Sequence, residues 1–84
     1  MIAAEEIQRR IQEALPGAEV EVNDFTGGGD HYAARIVAEQ FEGKPLIARH
    51  RMVYAPLKDV IGGALHALAL DTKTPAEANA EEVK

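Results

Sequence analysis

Residues 41–75, FEGKPLIARHRMVYAPLKDVIGGALHALALDTKTP, decide the fold of this chain. Apolar side chains recur with a helical period from Leu46 to Ile61. They predict a short helical turn, a bend near Ala55 and a second helix that ends at Gly62. After the glycines the period changes to strict alternation, which is typical of a strand.

Residues 65–71 predict that strand, with His66, Leu68 and Leu70 on one face. Because a helical segment precedes it, we expect the strand to pair parallel to an earlier one. Thr-Pro-Ala-Glu at residues 74–77 is a capping box and predicts a further helix start. The small and acidic residues that follow predict a frayed tail over residues 78–84.

The first half of the chain supplies the remaining elements. Residues 3–15 carry apolar side chains at helical spacing and predict an amphipathic helix, which a Pro-Gly pair ends. Valines alternate with glutamates over residues 19–22 and predict a half-buried strand. After the glycine-rich segment 23–30, alternation over residues 32–37 predicts a second strand, antiparallel to the first.

The expected fold is therefore one small α+β domain over residues 1–77, with elements in the order α-β-β-α-β. Three strands form a mixed sheet, and the helices pack on one of its faces. With 84 residues and 46% hydrophobic composition, the chain can build a shallow core but no deep enclosed cavity.

Composition narrows the function. The net charge is −5, and residues 45–73 are the basic stretch, with four Lys and Arg against two Asp. A protein that binds nucleic acid mainly through phosphates normally has a larger basic excess, so the charge argues against that role. No apolar run is long enough to cross a bilayer, and the mixed-charge start does not resemble a secretory signal, so we expect a cytoplasmic protein.

The sequence also lacks the usual catalytic groups. There is no cysteine, which excludes disulfides, thiolate catalysis and a metal centre held by this chain's own thiolates. There is no serine and no pair of histidines at helical metal-binding spacing. We therefore expect no enzymatic activity.

Three motifs, in order and at the expected spacing, carry a family resemblance. They are Phe41-x-Gly43, RHRMVY at residues 49–54 and HALALDTKTP at residues 66–75. This set resembles the signature of the BolA family, and the resemblance extends over residues 2–77. It implies a three-stranded sheet with helices on one side, similar to the class II KH domains of RNA-binding proteins. The G-x-x-G loop with which KH domains clamp nucleic acid is absent from the helical segment.

The resemblance implies that His66 is an iron–sulfur cluster ligand. It also implies a second ligand in the glycine-rich loop, which in a chain without cysteine is His31. Asp30 stands where the family pattern has a serine, and it fits either a competing oxygen ligand or a residue that orients an imidazole. The residues alone favour a core-edge histidine bonded to a backbone carbonyl for His66, and for His31 they fit a turn histidine equally well.

The basic motif has two readings. We expect His50 to be structural, anchoring the bend through a backbone hydrogen bond. The positions expected to contact a partner or nucleic acid are Arg49, Arg51, Tyr54 and Lys73. In the alternative reading the arginines pair with acidic side chains of this chain, namely Glu39, Glu42 or Asp59.

The resemblance leads to two functional hypotheses. The first is an adaptor that pairs with a monothiol glutaredoxin and its glutathione and shares a bridging [2Fe–2S] cluster, present only in the complex, for cluster trafficking or iron sensing. The alternative is a DNA-binding transcriptional regulator of BolA type, as in stress responses, which would use residues 46–55 and 56–62 as a helix-turn-helix, with Arg49, Arg51 and Lys58 as contacts. A homodimer and a module that only holds a partner in place remain open.

Overall fold

The computed structural model describes residues 2–24, 31–65 and 67–82. Helix α1 spans Ala4–Ala14 and buries Ile7 and Ile11 completely, as the amphipathic pattern predicts. Its exposed face carries ion pairs, in which Arg9 contacts both Glu6 and Glu13. The predicted first helix is confirmed.

The strands form one mixed sheet. Strand β1, Glu19–Asp24, pairs antiparallel with the central strand β2, His31–Val37, and β3, Ala67–Lys73, pairs parallel with β2. This confirms the predicted architecture, although β3 begins two residues later than expected. Most of the predicted glycine loop, residues 25–30, lies outside the described residues.

One face of the sheet is covered by helices. In β2 the side chains of Tyr32, Ala34 and Ile36 are buried, and in β3 those of Leu68 and Thr72 are buried. The alternate positions form an open face. The fully buried core residues are Ile7, Ile11, Ile36, Phe41, Val53, Leu57 and Leu65.

The crossover between β2 and β3 differs from the prediction. A 3-10 turn, Glu39–Phe41, is followed by a nine-residue helix α2, Leu46–Tyr54, where only a short helical turn was expected. The bend near Ala55 is confirmed, but the second helix is reduced to one 3-10 turn, Ala55–Leu57. Gly62 at φ +91° then closes a tight turn by donating its N–H to the carbonyl of Leu65.

The C-terminal segment is helical. Helix α3 spans Pro75–Glu82, so residues 78–82 are not the frayed tail that the sequence predicted. The capping box is confirmed because Thr74 N donates to Glu77 Oε1 at 2.8 Å and Glu77 N donates to Thr74 Oγ1 at 3.1 Å. Ala78 is buried, and Glu81 binds Arg35 at 2.9 Å, so tertiary contacts extend the helix beyond the cap.

None of the helices within the described ranges is long and apolar enough to span a membrane.

Candidate functional site

The candidate cluster site lies at the end of the sheet where β2 and β3 begin. His31 is the first residue of β2, is half-buried, and pairs in register with Ala67, the first residue of β3. His66 precedes Ala67 in the sequence but lies outside the described residues. The parallel pairing thus brings His31 beside the chain neighbour of His66, although the two histidines are far apart in sequence.

The sheet geometry of His31 and the sequence pattern around residue 66 assign the two candidate ligands to different faces. His31 belongs to the open face of the sheet, since its neighbours by alternation, Tyr32 and Ala34, are buried beneath the helices. The sequence pattern assigns His66 to the face of Leu68, which is the covered one. If residue 66 follows this pattern, a group bound by both imidazoles lies at the end of the sheet and over neither face.

The donor set can supply only part of a cluster's ligands. A [2Fe–2S] cluster takes four protein ligands, and imidazoles replace two thiolates on one iron in some centres. The chain has no cysteine, and its described residues contain no group of three His, Asp or Glu side chains arranged to hold a metal ion. Two imidazoles match the ligands of one iron in such a centre, and this chain offers no thiolate for the second iron.

Arg49, an expected partner contact, is instead engaged within the protein. Its side chain is only 12% exposed, and its guanidinium binds both carboxylate oxygens of Glu77. It also donates to the carbonyls of Lys44 at 2.9 Å and Thr72 at 3.3 Å, and it lies 5.8 Å from the centre of the Phe41 ring. The alternative reading was right that an arginine pairs internally, but the acid is Glu77 and not Glu39, Glu42 or Asp59.

This ion pair affects the acidity of Glu77. The hydrogen bond from Arg49 lowers the pKa of the Glu77 carboxyl to about 2, and the backbone N–H of Thr74 acts in the same direction. The carboxylate stays charged to low pH because both contacts stabilise the ionised form.

Tyr54 covers the outer edge of β3. The carbonyl of Lys73 accepts a hydrogen bond from the N–H of Ala38, just after the end of β2. Because successive carbonyls of a strand point to opposite sides, those of Leu68 and Thr72 point away from β2. The Tyr54 hydroxyl donates to the Leu68 carbonyl at 3.1 Å, and the Arg49 guanidinium donates to the Thr72 carbonyl. Helix α2 therefore satisfies two carbonyls of an edge that could otherwise pair with another strand, while the Tyr54 side chain stays partly exposed.

His50 is partly buried and lacks the expected hydrogen bond to the described residues. Its ring meets that of Tyr54 edge-on, with centroids 6.4 Å apart and planes at 81°. The Nε2 atom is buried and has no hydrogen-bond partner within the described part of the chain, and the same holds for Thr72 Oγ1. A structural role for His50 remains our interpretation, through packing and not through a backbone bond.

The two remaining residues predicted to contact a partner differ in how exposed and how paired their charges are. Lys73 lies 3.5 Å from Asp71 and is half-buried, whereas Arg51 is exposed and makes no ion pair with any described residue. The structure also exposes two isoleucines that follow the helical pattern, Ile47, one turn before Arg51, at 63% and Ile61 at 41% exposure. Sequence reasoning missed them because their spacing matches that of buried positions.

A small apolar pocket opens next to this surface. Its volume is about 360 Å³, and its lining residues are Tyr54, Lys58, Ile61, Leu65 and Leu68. Leu65 and Leu68 lie on either side of residue 66 in the sequence, and Leu68 follows Ala67, the pairing partner of His31. No signal in the sequence marks it, since it forms between the turn after α2 and the start of β3.

The geometry weakens the helix-turn-helix hypothesis. Within the described residues, the segment expected to form the second helix makes only the 3-10 turn Ala55–Leu57, which is too short to enter a major groove as a recognition helix. Arg49, one of the three expected contacts, is held by Glu77.

Comparison with known proteins agrees with the fold and the motifs. The family model described as BolA-like protein matches residues 11–77. The chain is 35% identical to human BolA-like protein 1 over 84% of its own length and 57% of that protein, and 35% identical to SufE-like protein 1 of Arabidopsis thaliana, of which it covers 23%. It thus spans just over half of the human protein and about a quarter of SufE-like protein 1.

A solved structure, the BolA domain of SufE1 from Arabidopsis thaliana, superimposes with a TM-score of 0.80 at 35% identity. The match covers 92% of this chain and 99% of that domain. The family model, the relatives and the shared architecture give one answer: this chain belongs to the BolA-like family.

Proposed function

We propose that this protein is a non-enzymatic iron–sulfur adaptor that pairs with a monothiol glutaredoxin and its bound glutathione. The two proteins share a bridging [2Fe–2S] cluster. The observation that supports the proposal most is the position of His31, which pairs with Ala67 and so lies beside the segment of His66. In a chain without cysteine, an imidazole at this end of the sheet, next to the segment in which the sequence places a second one, suits one half of a shared cluster.

The ligand chemistry explains which protein supplies which cluster ligands. The partner and its glutathione supply thiolates, and this chain supplies His66 and His31. A neutral imidazole in place of a thiolate makes the cluster less negative and raises its reduction potential. Because imidazole protonates near neutral pH, its bond to iron is also more labile to acid than a thiolate bond, which suits cluster transfer or iron sensing.

The proposal includes no reaction catalysed by this chain, and it keeps the cytoplasm as the expected location. One relative, SufE-like protein 1, bears a chloroplastic and mitochondrial name. Location is therefore a separate question from cluster binding.

The test is reconstitution of a monothiol glutaredoxin with glutathione, iron and sulfide, with and without this chain, followed by visible circular dichroism. We expect a new spectrum and a one-to-one complex. His66→Ala should abolish the new spectrum and His31→Ala should weaken or alter it, whereas His50→Gln removes an imidazole outside the site and should leave it unchanged. Far-ultraviolet spectra check that each variant folds. A spectrum identical to that of glutaredoxin alone would overturn the proposal.

A further inference from the structure

A mixed apolar and basic stripe runs along the exposed side of the crossover. Ile47, Arg51 and Tyr54 are spaced by four and three residues on α2, so they share one helix face. Lys58 and Ile61 continue this surface, because they line the same pocket as Tyr54. We call these five residues the docking stripe.

The stripe holds cations that this protein does not use internally. Four of the five described arginines form ion pairs: Arg9 and Arg10 with Glu6, Arg35 with Glu81 and Arg49 with Glu77. Lys73 pairs with Asp71. Among the described residues, only Lys44, Arg51 and Lys58 are exposed and without an ion pair, and two of these three lie on the stripe. A protein of net charge −5 thus presents one locally positive, apolar surface.

The stripe reaches the start of β3, where Leu68 lines its pocket one residue after Ala67, the pairing partner of His31. The pocket at its end is lined by Ile61 from the stripe and by Leu65 and Leu68, which flank residue 66 in the sequence. A protein that reaches a cluster at this end of the sheet would also cover the pocket. Large exposed apolar side chains rimmed by polar groups are typical of protein interaction sites.

We propose that the docking stripe is the surface on which the cluster-sharing partner binds, before and independently of the cluster. The partner presents an apolar side chain to the pocket and carboxylates to Arg51 and Lys58. This inference rests on the proposed function, because it takes the cluster-sharing protein as the occupant.

Charge argues against the other occupants. In a two-fold dimer each stripe would face its own copy, which would bring the unpaired cations of Arg51 and Lys58 into one interface. A nucleic acid would meet two cations among large apolar side chains, where phosphate binding requires a denser basic surface. An acidic, apolar protein surface matches both components of the stripe.

The experiment measures the affinity for a glutathione-loaded monothiol glutaredoxin by calorimetry, without iron or sulfide. Arg51→Glu combined with Lys58→Glu should weaken binding at least about tenfold, since like charges then oppose the partner's carboxylates. Ile61→Ala should weaken it about five- to tenfold. The matched controls, Lys44→Glu for the charge and Leu46→Ala for an exposed apolar residue, should change it less than about twofold.

The cluster assay, run with the same variants at saturating concentration, separates this inference from the proposed function. If wild type forms the mixed cluster and the stripe variants bind as tightly as the controls, the docking surface is wrong and the adaptor function stands. If no mixed cluster forms but the stripe variants still lose affinity, the function is wrong and the docking surface stands.

Other outcomes would also overturn the inference. If the wild-type protein does not bind the cluster-free glutaredoxin at all, the proposed docking surface is contradicted. A wild-type dimer that the charge-reversal variant converts to a monomer would assign the stripe to a second copy. Duplex DNA binding that falls steeply with salt and disappears in the same variant would assign it to nucleic acid.

Discussion

Arg49 and Glu77 form a two-contact ion pair that joins helix α2 to helix α3, with Nη1 2.7 Å from Oε1 and Nη2 3.3 Å from Oε2. The same Glu77 carboxylate accepts from the N–H of Thr74 in the capping box. Arg49 also lies over the ring of Phe41. Residues from all the main sequence motifs therefore meet in one internal network. Part of the family signature is thus explained by the stability of the fold and not by contact with a partner.

Removing the Arg49 side chain should destabilise the protein. Arg49→Ala leaves the Glu77 carboxylate and the carbonyl of Thr72 without their main donor, and we expect a loss of about 1–3 kcal/mol in the free energy of unfolding. Arg51→Ala, the exposed neighbour, should change it by less than about 0.5 kcal/mol. Urea unfolding followed by far-ultraviolet circular dichroism measures both, and equal stability of the two variants would contradict the network.

The Glu77 contact should also make stability depend on pH. Its pKa is lowered from 4.5 to about 2 in the folded protein, mainly by Arg49, so the unfolded chain binds the proton more readily. The stabilisation is therefore fully present above about pH 4.5 and is lost as the pH falls towards 2.

Glu77→Gln tests this dependence. The difference in unfolding free energy between wild type and the variant should be largest above pH 4.5 and shrink on acidification. Glu39→Gln is a suitable control, since Glu39 is exposed and forms no ion pair with the described residues. A Glu77→Gln difference that is constant from pH 6 to 2.5 would show that the carboxylate is not held by Arg49 in solution.

Two buried threonines should respond in opposite ways to the same change. Thr74 Oγ1 caps helix α3, so Thr74→Val should cost about 1 kcal/mol. Thr72 Oγ1 is buried without a partner among the described residues, so Thr72→Val removes an unsatisfied hydroxyl and should leave stability equal or higher. Thermal and urea unfolding of the two variants compare them directly, and a Thr72→Val variant as unstable as Thr74→Val would mean that Oγ1 of Thr72 is bonded.

Much of the fold could be predicted because its signals are local. Alternating apolar and polar residues predicted the strands, and the helical spacing of apolar residues over 3–15 predicted α1. Thr74 and Glu77 predicted the capping box. The second helix could not be predicted correctly, because the apolar residues of the 3-10 turn and of the tight turn at Gly62 recur at the same spacing as those of a helix. The end of α3 depends on Ala78 and Glu81, whose tertiary contacts leave no pattern in the sequence.

The candidate site was predictable only in part. The motifs pointed to His31, and β-pairing places it beside the segment of His66. The partner of Arg49 could not be read from the sequence, because Glu77 reaches it across the fold and not along a helix. The exposure of Ile47 and Ile61 was likewise hidden, since an exposed and a buried isoleucine have the same helical spacing.

The most direct test of the adaptor proposal is pulsed electron paramagnetic resonance of the reduced mixed complex, with this chain labelled by ¹⁵N-histidine and the glutaredoxin unlabelled. The account predicts strong ¹⁵N hyperfine couplings from imidazole bound to the cluster, with one coupling lost in His66→Ala. A cluster whose spectrum does not respond to the label would show that this chain provides no histidine ligand, and it would contradict the account.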